Sequence, residues 1–292
     1  MPKPIFREYI GVKPNSETLH DFPHEIIDTE NLEFHFILGF ATESYYESGK
    51  STGNFEESWD VELFGPENVK NLKTKHPEVK VVISIRGHDD KTPFDPDEEN
   101  IWVWKAVKSL KQIIKKYRNE SGNMIDGIDI NYEHINSDDE LFVNCIGQVI
   151  RELKKDDDLN IDVVSIAPSE NNQSSNQKLY NANTDYINWV DYQFSNQVKP
   201  VTTVDAFVDI YNSLVKDYDA GKVLPGFNTE PLDIKDTKTT RDTFIRGCTK
   251  LLQTSSLPGV FIWNANDSVI PQRDDDTPFI VELKLQQLLA KR

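Results

Sequence analysis

One stretch of this chain, residues 126–133, combines the side-chain types and the spacing that could do acid–base chemistry. It reads Asp-Gly-Ile-Asp-Ile-Asn-Tyr-Glu. In a β-strand, side chains alternate between two faces, so Asp129, Asn131 and Glu133 share one face and three apolar residues share the other. Burying carboxylates costs roughly several kcal/mol per ion unless they are paired or hydrogen-bonded. The pattern therefore predicts a present or former active site, with a satisfied polar cluster that closes the interior of the fold as the alternative.

The elements that must position this stretch alternate between strand-like and helical patterns. Strand-like runs are predicted at residues 6–12, 32–41, 80–86, 126–133, 160–167, 190–196, 222–227 and 259–263. Apolar residues recur every three or four positions, as in amphipathic helices, over residues 103–117, 141–153, 207–214, 244–251 and 280–288. Strands that alternate with helices pair in parallel. Eight such units predict an α/β fold, a single eight-stranded parallel (β/α)8 TIM barrel, rather than an open doubly wound sheet.

The chain is expected to form one domain over residues 1–292, because 37% of its residues are hydrophobic and its length suits one barrel. Active sites of such barrels lie at the carboxyl ends of the strands. The polar tract 169–177 is expected to be a loop on that face. The acidic run 274–276 is expected to be a solvated start of the last helix.

Composition argues against several classes of partner. Acidic residues outnumber basic ones 49 to 32, and the resulting net charge of −17 would repel nucleic acid and anionic membranes. No run approaches the ~20 apolar residues of a membrane helix, and no secretory signal follows Met1, so a cytoplasmic protein is expected. Cys145 and Cys248 fall on apolar helical faces and are expected to be buried thiols. The six histidines, His88 among them, form no familiar ligand spacing, so no metal and no cofactor are expected, and the protein is expected to be a monomer.

The stretch 126–133 resembles the Asp-x-x-Asp-x-Asp-x-Glu signature of the family 18 glycoside hydrolases, the chitinases and related enzymes. Three of the four acidic positions, beginning with Asp126, are kept. The resemblance implies that Glu133 is the general acid and Asp129 its supporting carboxylate, in a mechanism in which the substrate's acetamido group is the nucleophile. Asn131 stands where the family keeps an aspartate. An amide there carries no charge to balance the cationic intermediate.

A second likeness lies in the run Lys-Val-Val-Ile-Ser-Ile-Arg-Gly at residues 80–87, which resembles the Ser-x-Gly-Gly strand end of the family. Ser84 is kept, whereas Arg86 replaces the first glycine. Arg86 shares its face with Ser84 and is expected to point inward and reach Glu133, with a side chain turned to solvent as the alternative. Because an adjacent guanidinium favours the ionised carboxylate, Glu133 would hold no proton to donate.

Two further strand ends complete the resemblance. Residues 193–196 resemble the Gln-Phe-Tyr-Asn run of the plant branch, with Gln193 kept and Ser195 in place of the tyrosine that contacts the acetamido group. Trp263 ends the last strand, where its indole face would stack under a sugar ring or pack in the core. The shorter serine hydroxyl puts recognition of the acetamido group in doubt.

The replacements at Arg86, Asn131 and Ser195 predict a barrel of this family that is not a competent enzyme. The likeness covers the whole chain, and within the family it is greatest to seed globulins without demonstrated hydrolase roles. It implies a minor storage globulin of seed tissue. Two alternatives stay open: a lectin-like protein that binds chito-oligosaccharides, the oligomers of N-acetylglucosamine, and a residual glycosidase that uses Glu133.

Overall fold

The computed structural model describes residues 2–13, 18–87, 89, 92–231, 238–254, 257–271 and 276–291. Its strands are β1 (Ile5–Ile10), β2 (Glu33–Tyr45), β3 (Ser51–Glu57), β4 (Lys80–Arg86), β5 (Arg118–Asn119), β6 (Gly122–Asn123), β7 (Gly127–Ile130), β8 (Val163–Ile166), β9 (Trp189–Gln193), β10 (Val223–Asn228) and β11 (Gly259–Trp263). Its α-helices are α1 (Val61–Phe64), α2 (Pro66–Lys75), α3 (Glu99–Lys116), α4 (Asp139–Lys154), α5 (Gln173–Ala182), α6 (Val204–Asp217), α7 (Arg241–Thr254), α8 (Ala265–Ser268) and α9 (Ile280–Leu289). None of these helices is long and apolar enough to cross a membrane.

Eight of the strands close into a parallel barrel. Their order around it is β1, β2, β4, β7, β8, β9, β10 and β11, and β11 pairs with β1 to complete the circle. β3 adds to β2 in antiparallel orientation outside the barrel, and β5 and β6 form a separate short ribbon. The closed parallel arrangement with intervening helices confirms the predicted (β/α)8 TIM barrel.

Every predicted strand is present, but four end earlier than predicted, β7 and β9 by the most. β7 ends at Ile130 instead of Glu133, although the Asn131 amide still donates to a β4 carbonyl. Beyond β7, the Tyr132 ring packs against the Phe94 ring with 5.3 Å between centroids. Both residues lie in loops that follow barrel strands. β9 ends at Gln193 and is followed by a 3-10 turn, so strand alternation does not continue to residue 196.

The predicted helices are confirmed, and the structure adds elements that periodicity did not reveal. The prediction of a loop at 169–177 is wrong from Gln173 onward, because α5 begins there. Its buried apolar residues, Leu179 and Tyr180, lie after the polar tract, so the tract alone showed no helical pattern. The prediction of a solvated run at 274–276 is wrong for Asp276, whose side chain is 6% exposed and pairs with the Arg241 guanidinium. Asp274 and Asp275 lie outside the described residues.

Strand alternation separates an inner and an outer apolar layer. The inner layer fills the barrel and consists of Ile5, Tyr9, Ile37, Phe40, Val82, Val163, Leu224 and Phe261. A register shift between Gly39 and Ala41 turns Phe40 inward as well as Ile37. The outer layer lies between strands and helices and includes Cys145 and Cys248, which are buried free thiols as predicted. Burial of each large apolar side chain contributes about 1.5–3 kcal/mol to stability.

Candidate functional site

The fully buried Asp129 carboxylate is the base of the site. Tyr9 Oη donates to it at 2.6 Å, Ser84 Oγ at 2.7 Å and Ser165 Oγ at 2.6 Å. Burial and the Asp129 charge raise the pKa of Tyr9, so that its hydroxyl remains a donor. Three donors satisfy the carboxylate without a cation beside it. Ser84 lies inside as predicted, whereas Ser165 was missed, although a small polar residue in the middle of an apolar strand could have indicated it.

Asp126, the first acidic position of the stretch, is not part of this site. Its carboxylate accepts a hydrogen bond from the Val81 amide at 2.7 Å and pairs with Lys73 of α2 at 2.5 Å. Asp126 immediately precedes β7 and lies three residues before Asp129. Because each strand residue adds about 3.3 Å, Asp126 lies at the amino end of the strand, away from the Asp129 carboxylate. Asp126 therefore links the start of β7 to β4 and α2. The structure does not bring it together with the other predicted site residues.

Above Asp129, side-chain amides bind one another. Gln193 Nε2 donates to the Ala167 carbonyl at 2.7 Å and to Asn131 Oδ1 at 3.3 Å. Asn196 Nδ2 donates to Gln193 Oε1 at 2.7 Å. Both ends of the Gln193 amide are thus engaged within the protein, and Asn131 is one of its partners. A ligand that used Gln193 would have to replace one of these bonds.

A cavity of about 310 Å³ opens above these amides at the carboxyl ends of the strands. It is lined by Arg86, Glu133, Gln193, Ser195, Asn196, Asn228, Glu230 and Trp263. Five predicted site residues, Arg86, Glu133, Gln193, Ser195 and Trp263, are therefore brought together. Sequence analysis missed Asn228 and Glu230. Both follow the predicted strand 222–227, so their place at the carboxyl ends of the barrel strands could have been predicted.

Arg86 is half-buried and lines the cavity. Its guanidinium carbon lies 4.1 Å from the centroid of the Phe40 ring, a cation–π arrangement that contributes about 0.5–2 kcal/mol. Arg86 and Glu133 are both in the cavity wall. The ion pair predicted between them stays a prediction.

Trp263 packs in the core and also reaches the cavity, while its stacking under a sugar ring stays a prediction. Its ring packs against Tyr9, with 4.9 Å between centroids, and against Phe40, with 5.8 Å between centroids. The residue is half-buried and its remaining surface lines the cavity. Trp263 therefore contacts both Phe40, on which the Arg86 guanidinium lies, and Tyr9, which donates to Asp129.

Glu230 brings a second carboxylate to the cavity. Its backbone amide donates to Asn228 Oδ1 at 2.8 Å, which holds the residue at the end of β10. Lys13 Nζ lies 3.4 Å from Glu230 and 2.8 Å from Asp267, so the lysine links the first and last loops of this face. The cavity therefore presents acidic, basic and neutral amide groups together.

A buried ion pair lies deeper in the barrel. Arg7 Nη1 is 2.6 Å from Asp191 Oδ2, and both side chains are fully inaccessible. Burial raises the pKa of Asp191 against the effect of the Arg7 guanidinium. Sequence analysis missed this pair, whose members are 184 positions apart. In the described part of the chain, no three His, Cys, Asp or Glu side chains are grouped as metal ligands; His88 lies outside it.

Comparison with known proteins agrees with this architecture. Residues 12–229 match the model for "Glycosyl hydrolases family 18". "Chitinase 1" of Tulipa saxatilis subsp. bakeri is 35% identical over 298 residues, which cover 98% of this chain and 87% of that protein. "RuBisCO-associated protein" of Glycine max is 34% identical over 185 residues, which cover 61% of this chain and 59% of that protein.

Among solved structures, the catalytic domain of a family GH18 chitinase from the fern Peteris ryukyuensis is similar. It superposes with a TM-score of 0.83 at 32% identity and covers 98% of this chain and 99% of its own. The likeness therefore extends over the barrel and the strand ends that form the cavity. Together with the family match over residues 12–229, it shows that this chain belongs to the glycosyl hydrolases of family 18.

Proposed function

We propose that this chain is a catalytically incomplete chitinase-like barrel that serves as a minor seed storage globulin of the narbonin type. The observation that carries the proposal is the presence of Arg86 in the wall of the same cavity as Glu133. A general acid must hold a proton near neutral pH, and a neighbouring guanidinium favours the carboxylate that has lost it.

The groups that would recognise an acetamido substituent support the same conclusion. Asn131 is buried and neutral, and Gln193 is bonded to it, to Ala167 and to Asn196. Ser195 lines the cavity with a hydroxyl where the family resemblance leads us to expect a tyrosine. A substrate-assisted reaction needs the acetamido group held and its positive charge balanced, and this cavity has lost the tyrosine and one of the carboxylates for that task.

The storage role rests on resemblance and composition. Narbonin, the vetch seed globulin to which the chain is similar, is a chitinase-like barrel, and two Cys and two Met in 292 residues suit a store of nitrogen more than one of sulfur. We place the protein in the cytoplasm of seed tissue as part of this proposal. Quantitative immunoblots should show accumulation as cotyledons mature and decline on germination. A constant amount throughout would contradict a storage role.

The catalytic part is tested with fluorogenic glycosides of chitobiose and chitotriose. We expect the parent protein and Glu133→Gln to release fluorophore at the same background rate, beside an active family chitinase as positive control. Turnover by the parent that vanishes in Glu133→Gln would instead establish a residual glycosidase. The residual glycosidase has its own support. Glu133 is retained in the cavity, and the relatives aligned over nearly the whole chain are named chitinases.

A lectin-like function is the second candidate, and the open cavity favours it. A half-buried Trp263 and side chains with amide and hydroxyl groups are the surfaces that stack on and hydrogen-bond to sugars. Calorimetric titration with chitotetraose separates the readings, because clear heats of binding that disappear in Trp263→Ala would favour the lectin. Trp104→Ala is the matched control, since Trp104 is 62% exposed on α3 and does not line the cavity.

A further inference from the structure

Two glutamates lie outside the barrel wall, away from the cavity. Glu8 is on the outer face of β1, since its neighbours Arg7 and Tyr9 point inward, and Glu282 is in the first turn of α9. Both side chains are fully buried. β1 is the first strand of the barrel and pairs with β11, the last, while α9 packs against β11 and α7. The two carboxyl groups therefore lie at the seam where the two ends of the chain close the fold.

No described residue makes a hydrogen bond of ordinary geometry to either carboxyl group. All four oxygens of Glu8 and Glu282 are buried without a partner, and so is the Gln286 Nε2 one turn further along α9. The Ser268 hydroxyl, which favours the ionised form of Glu282, donates its own hydrogen bond to the Asn264 carbonyl at 3.2 Å. Buried polar groups are almost always satisfied, so four such oxygens in one place need an explanation.

Among the described residues of the elements that pack here, no cation forms an ion pair with either carboxyl. β11 carries no titratable side chain, and His35 and Glu33 of β2 pair with each other on the inner side of the wall. On α8, Asp267 pairs with Lys13, and on α7, Arg241 pairs with Asp276. On α9 itself, Lys284 is exposed, and Asp28, beside Gln286, interacts through its backbone amide. The electrostatic influence on Glu8 comes from Glu282.

We propose that Glu8 and Glu282 form a proton-dependent latch that holds α9 on the β1–β11 seam. With a proton on one of them, that carboxyl can donate to the other, and the pair carries at most one buried charge. When both carboxyls ionise, two like charges remain buried without a counterion, and α9 loosens from the seam. The latch is independent of the cavity and of the proposed function.

The direction of titration agrees with this geometry. Burial, and then the Glu282 charge, raise the pKa of Glu8 well above its ordinary value, and burial raises the pKa of Glu282 to about 7. For carboxyls with a raised folded-state pKa, the stabilisation is complete below the ordinary value of 4.5 and is lost as the pH rises through the folded value. Docking of α9 should therefore be firm below pH 6 and weaken above about pH 7.

Hydrogen exchange of α9 peptides, corrected for intrinsic rates, tests the latch in the full-length protein. Between pH 7 and pH 8.5 we expect the protection of residues 280–289 to fall about tenfold or more, while the protection of α3 changes little. Release of one proton when α9 is docked is enough for a change of this size. Glu282→Gln removes one of the two charges and supplies a permanent donor to Glu8, so the fall in protection should become markedly smaller. Glu62→Gln, at an exposed position of α1, should leave it unchanged. Equal protection of α9 at both pH values in the parent would overturn the proposal.

Infrared spectroscopy of the parent protein gives a second measurement. The parent at pH 6 should show the carbonyl stretch of a buried protonated carboxyl group, which is absent at pH 8.5. Burial also raises the pKa values of Asp191 and Glu43, so only the part of the band that is lost or shifted in Glu282→Gln would support the pair. A parent spectrum without any protonated carboxyl at pH 6 would sink it.

Discussion

The Tyr9 hydroxyl donates a 2.6 Å hydrogen bond to the Asp129 carboxylate at the centre of the barrel. The bond joins β1 to β7 across the interior, and Ser84 and Ser165 join β4 and β8 to the same carboxylate. The most strongly satisfied part of the site is thus its base, and the departures from the family pattern lie above it in the cavity. The base can therefore be retained for stability even if no reaction takes place.

Tyr9→Phe should lower the free energy of unfolding by about 1.5–3 kcal/mol, the range for a lost bond to a charged group. The carboxylate would keep the two serine donors, and the ring would keep its packing against Trp263. Urea denaturation followed by circular dichroism measures the change. Tyr46→Phe is the control, because Tyr46 is 45% exposed and should cost less than 0.5 kcal/mol by comparison with ordinary surface substitutions. Equal costs for both variants would show that the Asp129 network does not stabilise the barrel.

Arg86→Gly should raise the pH at which the Glu133 carboxyl titrates, because the substitution removes a cation from the cavity wall. Asn131→Asp added to it should raise that pH further through like-charge repulsion. Carbon-detected NMR of labelled glutamate side chains measures both effects, with Glu133→Gln to assign the signal. An unchanged titration in Arg86→Gly would remove the main argument for inactivity. Hydrolysis need not return, since Ser195 would still replace the tyrosine.

The melting temperature should be highest near pH 4.5 and decline from there towards pH 7. Burial raises the pKa of Glu43 to about 6 and that of Glu282 to about 7, so their stabilisation is present below 4.5 and is lost as the pH rises through those values. Burial lowers the pKa of His35 to about 4, and the His35 hydrogen bond lowers that of Glu33 to about 2. Their stabilisation is lost as the pH falls through those values.

Calorimetric scans from pH 3 to pH 8.5 test this profile. Glu43→Gln should flatten the decline on the alkaline side, although it also weakens the bonds that Trp102 Nε1 and Tyr132 Oη donate to Glu43 at 2.6 and 2.7 Å. A melting temperature that keeps rising to pH 8 would refute the assignment of these buried carboxyls.

Both cysteines should resist alkylation in the native protein. Burial raises the pKa of Cys145 to about 12 and raises that of Cys248 further. At pH 8 the thiolate fraction of Cys145 would be about a thousandfold below that of a free cysteine, and only the thiolate reacts. Mass spectrometry after iodoacetamide treatment should find both thiols unmodified until denaturant is added. Rapid modification of either residue without denaturant would contradict its burial.

The sequence by itself determined the class of fold and the inner face of the barrel. Alternation along a strand is a local property of the backbone, so Asp129 and Asn131 could be placed inside from their spacing alone. Residues that end strands, such as Arg86 and Trp263, could likewise be placed at the carboxyl-end face, because parallel strands of a barrel all finish there. The lengths of β7 and β9 could not be predicted, since loop contacts end these strands.

Only the tertiary structure decided which side chains meet. Arg7 and Asp191 are 184 positions apart, Tyr9 and Asp129 are 120 apart, and barrel closure is what brings each pair within 2.6 Å. The burial of Glu8 and Glu282 likewise depends on closure of the barrel, because the two ends of the chain meet only when β11 pairs with β1. A strand pattern states which way each side chain points, whereas its partner depends on strand order and register around the closed sheet, which are set by the packing of the whole chain.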